Sequence, residues 1–146
     1  MFFLEKVLVF FLFLFFVAGC TLPTENNGGV EVELDESDVL LSLEGDTDFN
    51  DWKDDFISGE GREPVLVLIK KERLSEEIIG EKIGSASVGQ KNIVERIFSD
   101  LDVSSGNIFY VEMKDKVLQN RGVIAIIDGG EKKVLKFFAT LGIVVS

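Results

Sequence analysis

Three uninterrupted apolar runs decide what this chain can become: Val7–Gly19, Val65–Ile69 and Val123–Ile127. None offers water a polar side chain, so each has to be covered by protein or by lipid. Length separates their fates. The two later runs are five residues of Val, Leu, Ile and Ala, the mark of strands buried on both faces. The first is 13 residues long. As a helix at ~1.5 Å per residue it spans about 20 Å, short of the ~30 Å hydrocarbon core. Its length suits the ~7–15-residue apolar stretch of a secretory signal peptide.

Lys6 precedes that run, and Val17-Ala18-Gly19-Cys20 closes it with the only cysteine in the chain. Small residues before a cleavage point suit the narrow cleft of a signal peptidase. The combination resembles the lipobox of prokaryotic lipoproteins. The resemblance implies that residues 1–19 are removed and that Cys20 is thioether-linked to a diacylglycerol. It also implies that the mature chain sits on the extracytoplasmic face of the cell membrane. Glu5 beside Lys6 departs from the usual positive start. The other reading is an uncleaved anchor in which Cys20 is an incidental interfacial thiol. Either reading tethers the chain to a membrane, and two acyl chains at ~0.8 kcal/mol per buried methylene hold a protein there stably.

Composition removes whole classes of chemistry. There is no histidine, which eliminates Ser-His-Asp and Cys-His catalysis and imidazole metal ligation. A single cysteine closes no internal disulfide and builds no thiolate zinc site. The Ser-x-x-Lys spacing is absent too. The reading is therefore of a protein that is not an enzyme and needs no cofactor. Acids outnumber bases 26 to 15, for a net charge of −11. Such a chain is not built to neutralise phosphates, so nucleic acid is not an expected partner.

Charge also divides the mature chain. Residues 20–63 carry 14 acids against Lys53 and Arg62, while residues 64–146 carry 11 acids and 12 bases. After Cys20 the polar, Gly-rich stretch to Gly29 reads as a flexible tether. The expected organisation is a signal peptide (1–19), a lipidated cysteine and tether (20–29), an acidic segment (30–63) and a small domain (64–146).

In the acidic segment, Val30, Val32 and Leu34 alternate with acids, the period-two pattern of a half-exposed strand, with 39–43 as its hairpin partner. Phe49, Trp52, Phe56 and Ile57 then form one helical stripe. Beyond Pro64, Ser75 is a good N-cap for a helix over 76–83, and a second helix over 91–101 buries Ile93, Val94, Ile97, Phe98 and Leu101. Strands follow at 107–113 and 123–127. Gly129-Gly130 turns the chain into a third helix with Val134, Leu135, Phe138 and Leu141 inward and Lys132, Lys133 and Lys136 solvated. Gly142 caps that helix, and 143–145 is a last strand. The expected fold is α/β (or α+β), a small mixed β-sheet with about three helices packed on it.

The stretch from Gly122 through Asp128-Gly129-Gly130 to Leu141, with Gly89–Val94 upstream, is similar to α/β modules of archaeal S-layer-type surface proteins. That likeness implies a structural surface role. The Thr and Ala that commonly follow the glycine turn there are missing here.

Three motifs bear on ligands. Asp46, Asp48 and Asn50 match the start of a calcium loop, but Asp51 stands where Gly must turn and Ile57 where a bidentate Glu belongs. Helix capping explains them, with a weak Ca²⁺ site at Asp46, Asp48, Asn50 and Asp51 as the second reading. The stretch Gly84–Asn92 approaches a phosphate loop, but Lys91 is one place late and the loop follows a helix, so it reads as a connection. Asp128, Gly129 and Gly130 sit where a strand would turn into a helix, a place where α/β folds collect ligands. An ordinary structural turn is the alternative. Trp52 and Tyr110, each the sole example of its type, read as packing before ligand stacking. The expected function is binding, or a structural surface role, at the envelope. Partners would be the membrane through Cys20, envelope proteins and diffusely held divalent cations. A small-ligand or enzymatic site at Asp128 is the alternative.

Overall fold

The structure is a computed structural model that describes residues 31–141. The signal run, Cys20, most of the tether, Val30 and the strand expected at 143–145 lie outside the described residues. From Val32 onward the chain forms one unit. Its elements are α1 (Glu36–Glu44), α2 (Thr47–Glu60), β1 (Leu66–Arg73), α3 (Glu76–Ser85), α4 (Lys91–Phe98), β2 (Ile108–Asp115), β3 (Arg121–Asp128) and β4 (Lys133–Leu141). The strands form one sheet in the order β1-β2-β3-β4, antiparallel at every pairing. The expected class, a small sheet with helices packed on it, is the one observed.

Helices cover both faces of the sheet. On one face, Leu34, Val39 and Leu43 of α1 and its approach join Phe49, Trp52 and Phe56 of α2 against Phe109, Val111, Met113, Val123, Ala125 and Ile127. On the other, Leu74 and the α4 residues Val94, Ile97 and Phe98 pack on Ile108, Tyr110, Ile124 and Ile126. The alternation of β2 and β3 feeds one cluster with odd residues and the other with even ones, so Val123–Ile127 is buried on both faces as its composition requires.

Val65–Ile69 differs. β1 is an edge strand on which Leu66 and Leu68 pack inward, while Val65, Val67 and Ile69 are exposed. The helices of the second face do not reach this end of the sheet.

Two other expectations are corrected. Residues 39–43 belong to α1, not to a hairpin strand. Asp35 caps that helix by accepting from the Asp38 N–H at 2.8 Å, while the Asp38 carboxylate accepts from the Asp35 N–H at 3.3 Å. This reciprocal capping box ends the extended stretch and starts the helix. The third helix expected after Gly130 is β4. Ile126 pairs with Lys136 and Ile127 with Val134, so Leu135 is an extra, bulged residue. The bulge breaks the period-two pattern and places Val134, Leu135 and Phe138 at spacings that mimic a helix. The strand–turn–helix on which the S-layer likeness drew is therefore a β-hairpin.

The acidic segment is part of this unit rather than an appendage to it. Its apolar side chains make up one of the two core layers, and its acids lie on the solvent side of α1 and α2. Asp115 fastens the joint. Fully buried, it accepts two hydrogen bonds from Arg62 at 3.1 and 2.7 Å, and one each from the N–H groups of Val65 (2.9 Å), Val117 (3.2 Å) and Leu118 (2.7 Å). The link from α2 to β1 and the β2–β3 turn are thus held by one carboxylate. These donors hold the Asp115 carboxyl well below the usual carboxylate range, with the Arg62 guanidinium the largest cause.

Candidate functional site

Asp128 lies in the β3–β4 hairpin, so no helix follows it. Its Oδ1 accepts from the N–H groups of Gly130 at 2.9 Å and Glu131 at 3.2 Å. Gly129 N–H donates to the Asn107 carbonyl at 2.7 Å, and a side chain on Gly129 would meet the Phe109 ring. The strand-to-helix geometry that favoured a ligand is absent, and Asp128 is an Asx-turn residue.

The calcium-like motif is a helix start. Asp46 Oδ2 caps α2 by accepting from the Phe49 N–H at 3.0 Å. Asn50 Nδ2 donates to the carbonyls of Glu44 and Asp46, both at 2.9 Å. Asp48 and Asp51 are exposed on the first turns of the helix. Among the described residues no three acidic or thiol groups converge as a metal ion requires. Gly84–Asn92 joins α3 to α4 as a helix–helix connection.

Two surfaces escaped the sequence reading. The first is a polar cluster between β1, β2 and α3. Tyr110 (fully buried), Glu112 and Lys82 are buried, and Glu72 is half-buried beside them. Strand register places Glu72 opposite Tyr110 and Lys70 opposite Glu112. Lys82 Nζ lies 2.7 Å from Glu72 Oε2 and 5.2 Å from the centre of the Tyr110 ring. Yet Glu72 Oε2, Tyr110 Oη and Glu112 Oε2 make no well-aligned hydrogen bond. Burial raises the Glu112 carboxyl above its ordinary value, with Lys70, Lys114, Tyr110 and Lys82 pulling the other way. Burial, then the neighbouring Glu112, pushes the Tyr110 phenol up as well. Above the cluster opens a cavity of about 580 Å³ lined by Glu72, Ile78, Glu81, Lys82, Gly84 and Ser85.

Comparison with protein-family models, with curated proteins and with solved structures finds no match. Function has to be read from these surfaces themselves.

The second surface is the uncovered end of the sheet. Val65, Val67, Ile69 and Val117 are 52%, 40%, 50% and 70% exposed. Val67 and Ile69 line a concavity of about 340 Å³ with Lys114, Lys116 and Gln119. Lys116 N–H donates to the Val65 carbonyl at 2.8 Å, which joins Val65 and the Val117 turn to the same patch. Asp115, beneath it, is neutralised by Arg62. The charges left at the surface of this concavity are the lysines. Tyr110 is a packing residue as expected, stacked on Phe98 at 5.7 Å, but its hydroxyl is the unexpected part.

Proposed function

We propose that this protein is a lipid-anchored extracytoplasmic domain that acts by binding a protein partner in the cell envelope, with no catalysis of its own. The lipobox-like Val17-Ala18-Gly19-Cys20 supports the anchor. The observation that carries the binding reading is the cluster of exposed aliphatic side chains Val65, Val67, Ile69 and Val117. Contiguous apolar surface of this kind, rimmed by polar groups, marks interaction sites.

Position and charge define the partner. The chain enters the folded unit at Val32, whose carbonyl accepts from Arg73 at the far end of β1. Seven strand steps separate Arg73 from Leu66, about 23 Å at ~3.3 Å per residue. On a tethered domain the apolar end is therefore the one that faces away from the bilayer. Lys114 and Lys116 are cations on a chain of net charge −11, so the fitting surface joins aliphatic side chains to carboxylates. Pro64 and the irregular register between Leu68 and Lys70 blunt the edge of β1 against strand addition. The partner packs on the face of the sheet.

A photo-crosslinking side chain at position 67, introduced into the full chain in its native membrane, tests this. One discrete protein adduct is expected, lost when Lys114 and Lys116 are both changed to Glu, with no such adduct from the same side chain at exposed position 48. Adducts to lipid, to a second copy of the chain, or equal adducts from both positions would overturn the reading. Val67 is exposed, so the substitution leaves the fold intact.

A further inference from the structure

We propose that the cavity beneath α3 is a binding site for a small aliphatic amine, whose ammonium group docks between Tyr110 and Glu112. The inference stands apart from the partner surface, which lies beyond it along β1. Three oxygen atoms carry it: Glu72 Oε2, Tyr110 Oη and Glu112 Oε2 are shielded from solvent and lack a hydrogen-bond partner. Native proteins rarely leave such groups unpaired, because each loses its hydration without compensation. All three accept, and a primary ammonium brings three N–H donors. An anion would add acceptors to a site that already has too many.

The three groups share one face of the sheet. Glu72 and Tyr110 are cross-strand partners, and Glu112 follows Tyr110 by two residues on β2. Cross-strand partners sit ~4.5–5.5 Å apart at Cβ and diagonal neighbours ~7–8 Å, within reach of side chains of this length around one nitrogen. Glu72 already has cations beside it, Lys82 Nζ at 2.7 Å and Lys70 Nζ at 3.8 Å. No ion pair of that kind falls on Glu112 among the described residues. The free carboxylate of the cluster is therefore Glu112, which is 4% exposed, next to the phenol of Tyr110.

Lys82 illustrates the chemistry the site accepts, an ammonium held by a carboxylate over the Tyr110 ring. It also forms the wall between the cavity and the buried pair, so a ligand reaches Glu112 past the Lys82–Glu72 bridge. At about 580 Å³ the cavity has the volume of a small-molecule site. Ile78 gives it an apolar wall for a short methylene stem, and exposed Glu81 at its mouth suits a second amine.

Calorimetric titration of the full chain in nonionic detergent with 1,4-diaminobutane and n-butylamine tests the assignment, with n-butanol and butyrate as controls. Both amines should bind, the diamine more tightly, and neither control should. Glu112→Gln should weaken both amines at least tenfold and Tyr110→Phe at least threefold, each with an unchanged circular dichroism spectrum. Glu81→Gln, at an exposed position that does not disturb the core, should weaken the diamine alone. Absence of heat from either amine, binding of butyrate in their place, or equal affinity in Glu112→Gln would overturn it. Failure of the crosslinking experiment at position 67 would leave these outcomes untouched.

Discussion

Replacing Asp115 with Ala should cost about 3 kcal/mol of stability, the low end of the range for breaking a buried ion pair because Arg62 remains 34% exposed. The loss goes beyond the pair, since Val65, Val117 and Leu118 N–H groups lose their acceptor as well. Asn in the same place keeps the volume, but its NH₂ group confronts donors, so Asp115→Asn should be nearly as damaging. The pH dependence has a definite sign. Asp115 is held below its unfolded value, so its contribution is present above the ordinary carboxylate pKa of ~3.9 and fades as pH falls beneath that value. Urea unfolding at neutral pH and again at pH 3 should show a difference between wild type and Asp115→Ala that shrinks in acid. An equal gap at both pH values would mean that packing, not the charge, carries the effect.

A chain that begins at Arg62 should not fold cooperatively. The charge boundary near residue 63 invites the opposite expectation, because everything after it is nearly neutral and rich in clear strands. Leu34, Val39, Leu43, Phe49, Trp52 and Phe56 are all buried against one face of β2 and β3. At ~1.5–3 kcal/mol for each buried large apolar side chain, these six contribute on the order of 10 kcal/mol. That is comparable to the ~5–15 kcal/mol total stability of a domain. Without α1 and α2 the sheet would also expose Val111, Met113, Val123, Ala125 and Ile127 to water. Circular dichroism and a thermal scan of residues 62–146 should show no sharp transition. A cooperative transition near that of the full chain would make the acidic segment dispensable and place the domain boundary at Pro64.

Local signals were legible where local physics decides. Ser75 caps α3 by accepting from the Ile78 N–H at 3.2 Å, and the apolar residues of α2 and β3 lie where their spacing puts them. The failures share a cause in non-local structure. Whether Val65–Ile69 is buried on both faces depends on its place at the edge of the sheet. The bulge at Leu135 turned a strand's alternation into a helix-like spacing. Arg62 and Asp115 stand 53 residues apart, and nothing in either neighbourhood pairs them. The polar cluster left one trace, Glu112, the lone acid inside a strand of otherwise apolar residues from Ile108 to Met113. A carboxylate at such a position is either exposed on an open face or buried with a purpose. The helix α3 that closes over it comes from another part of the chain.

The account as a whole depends on Cys20 holding the domain at the membrane, and intact mass spectrometry of protein extracted from membranes measures this directly. The expected mass is that of residues 20–146 carrying a diacylglycerol, and Cys20→Ser should abolish that species. A mass that retains Met1 with no acyl addition would contradict the lipid-anchored reading and leave residues 1–19 as an uncleaved anchor.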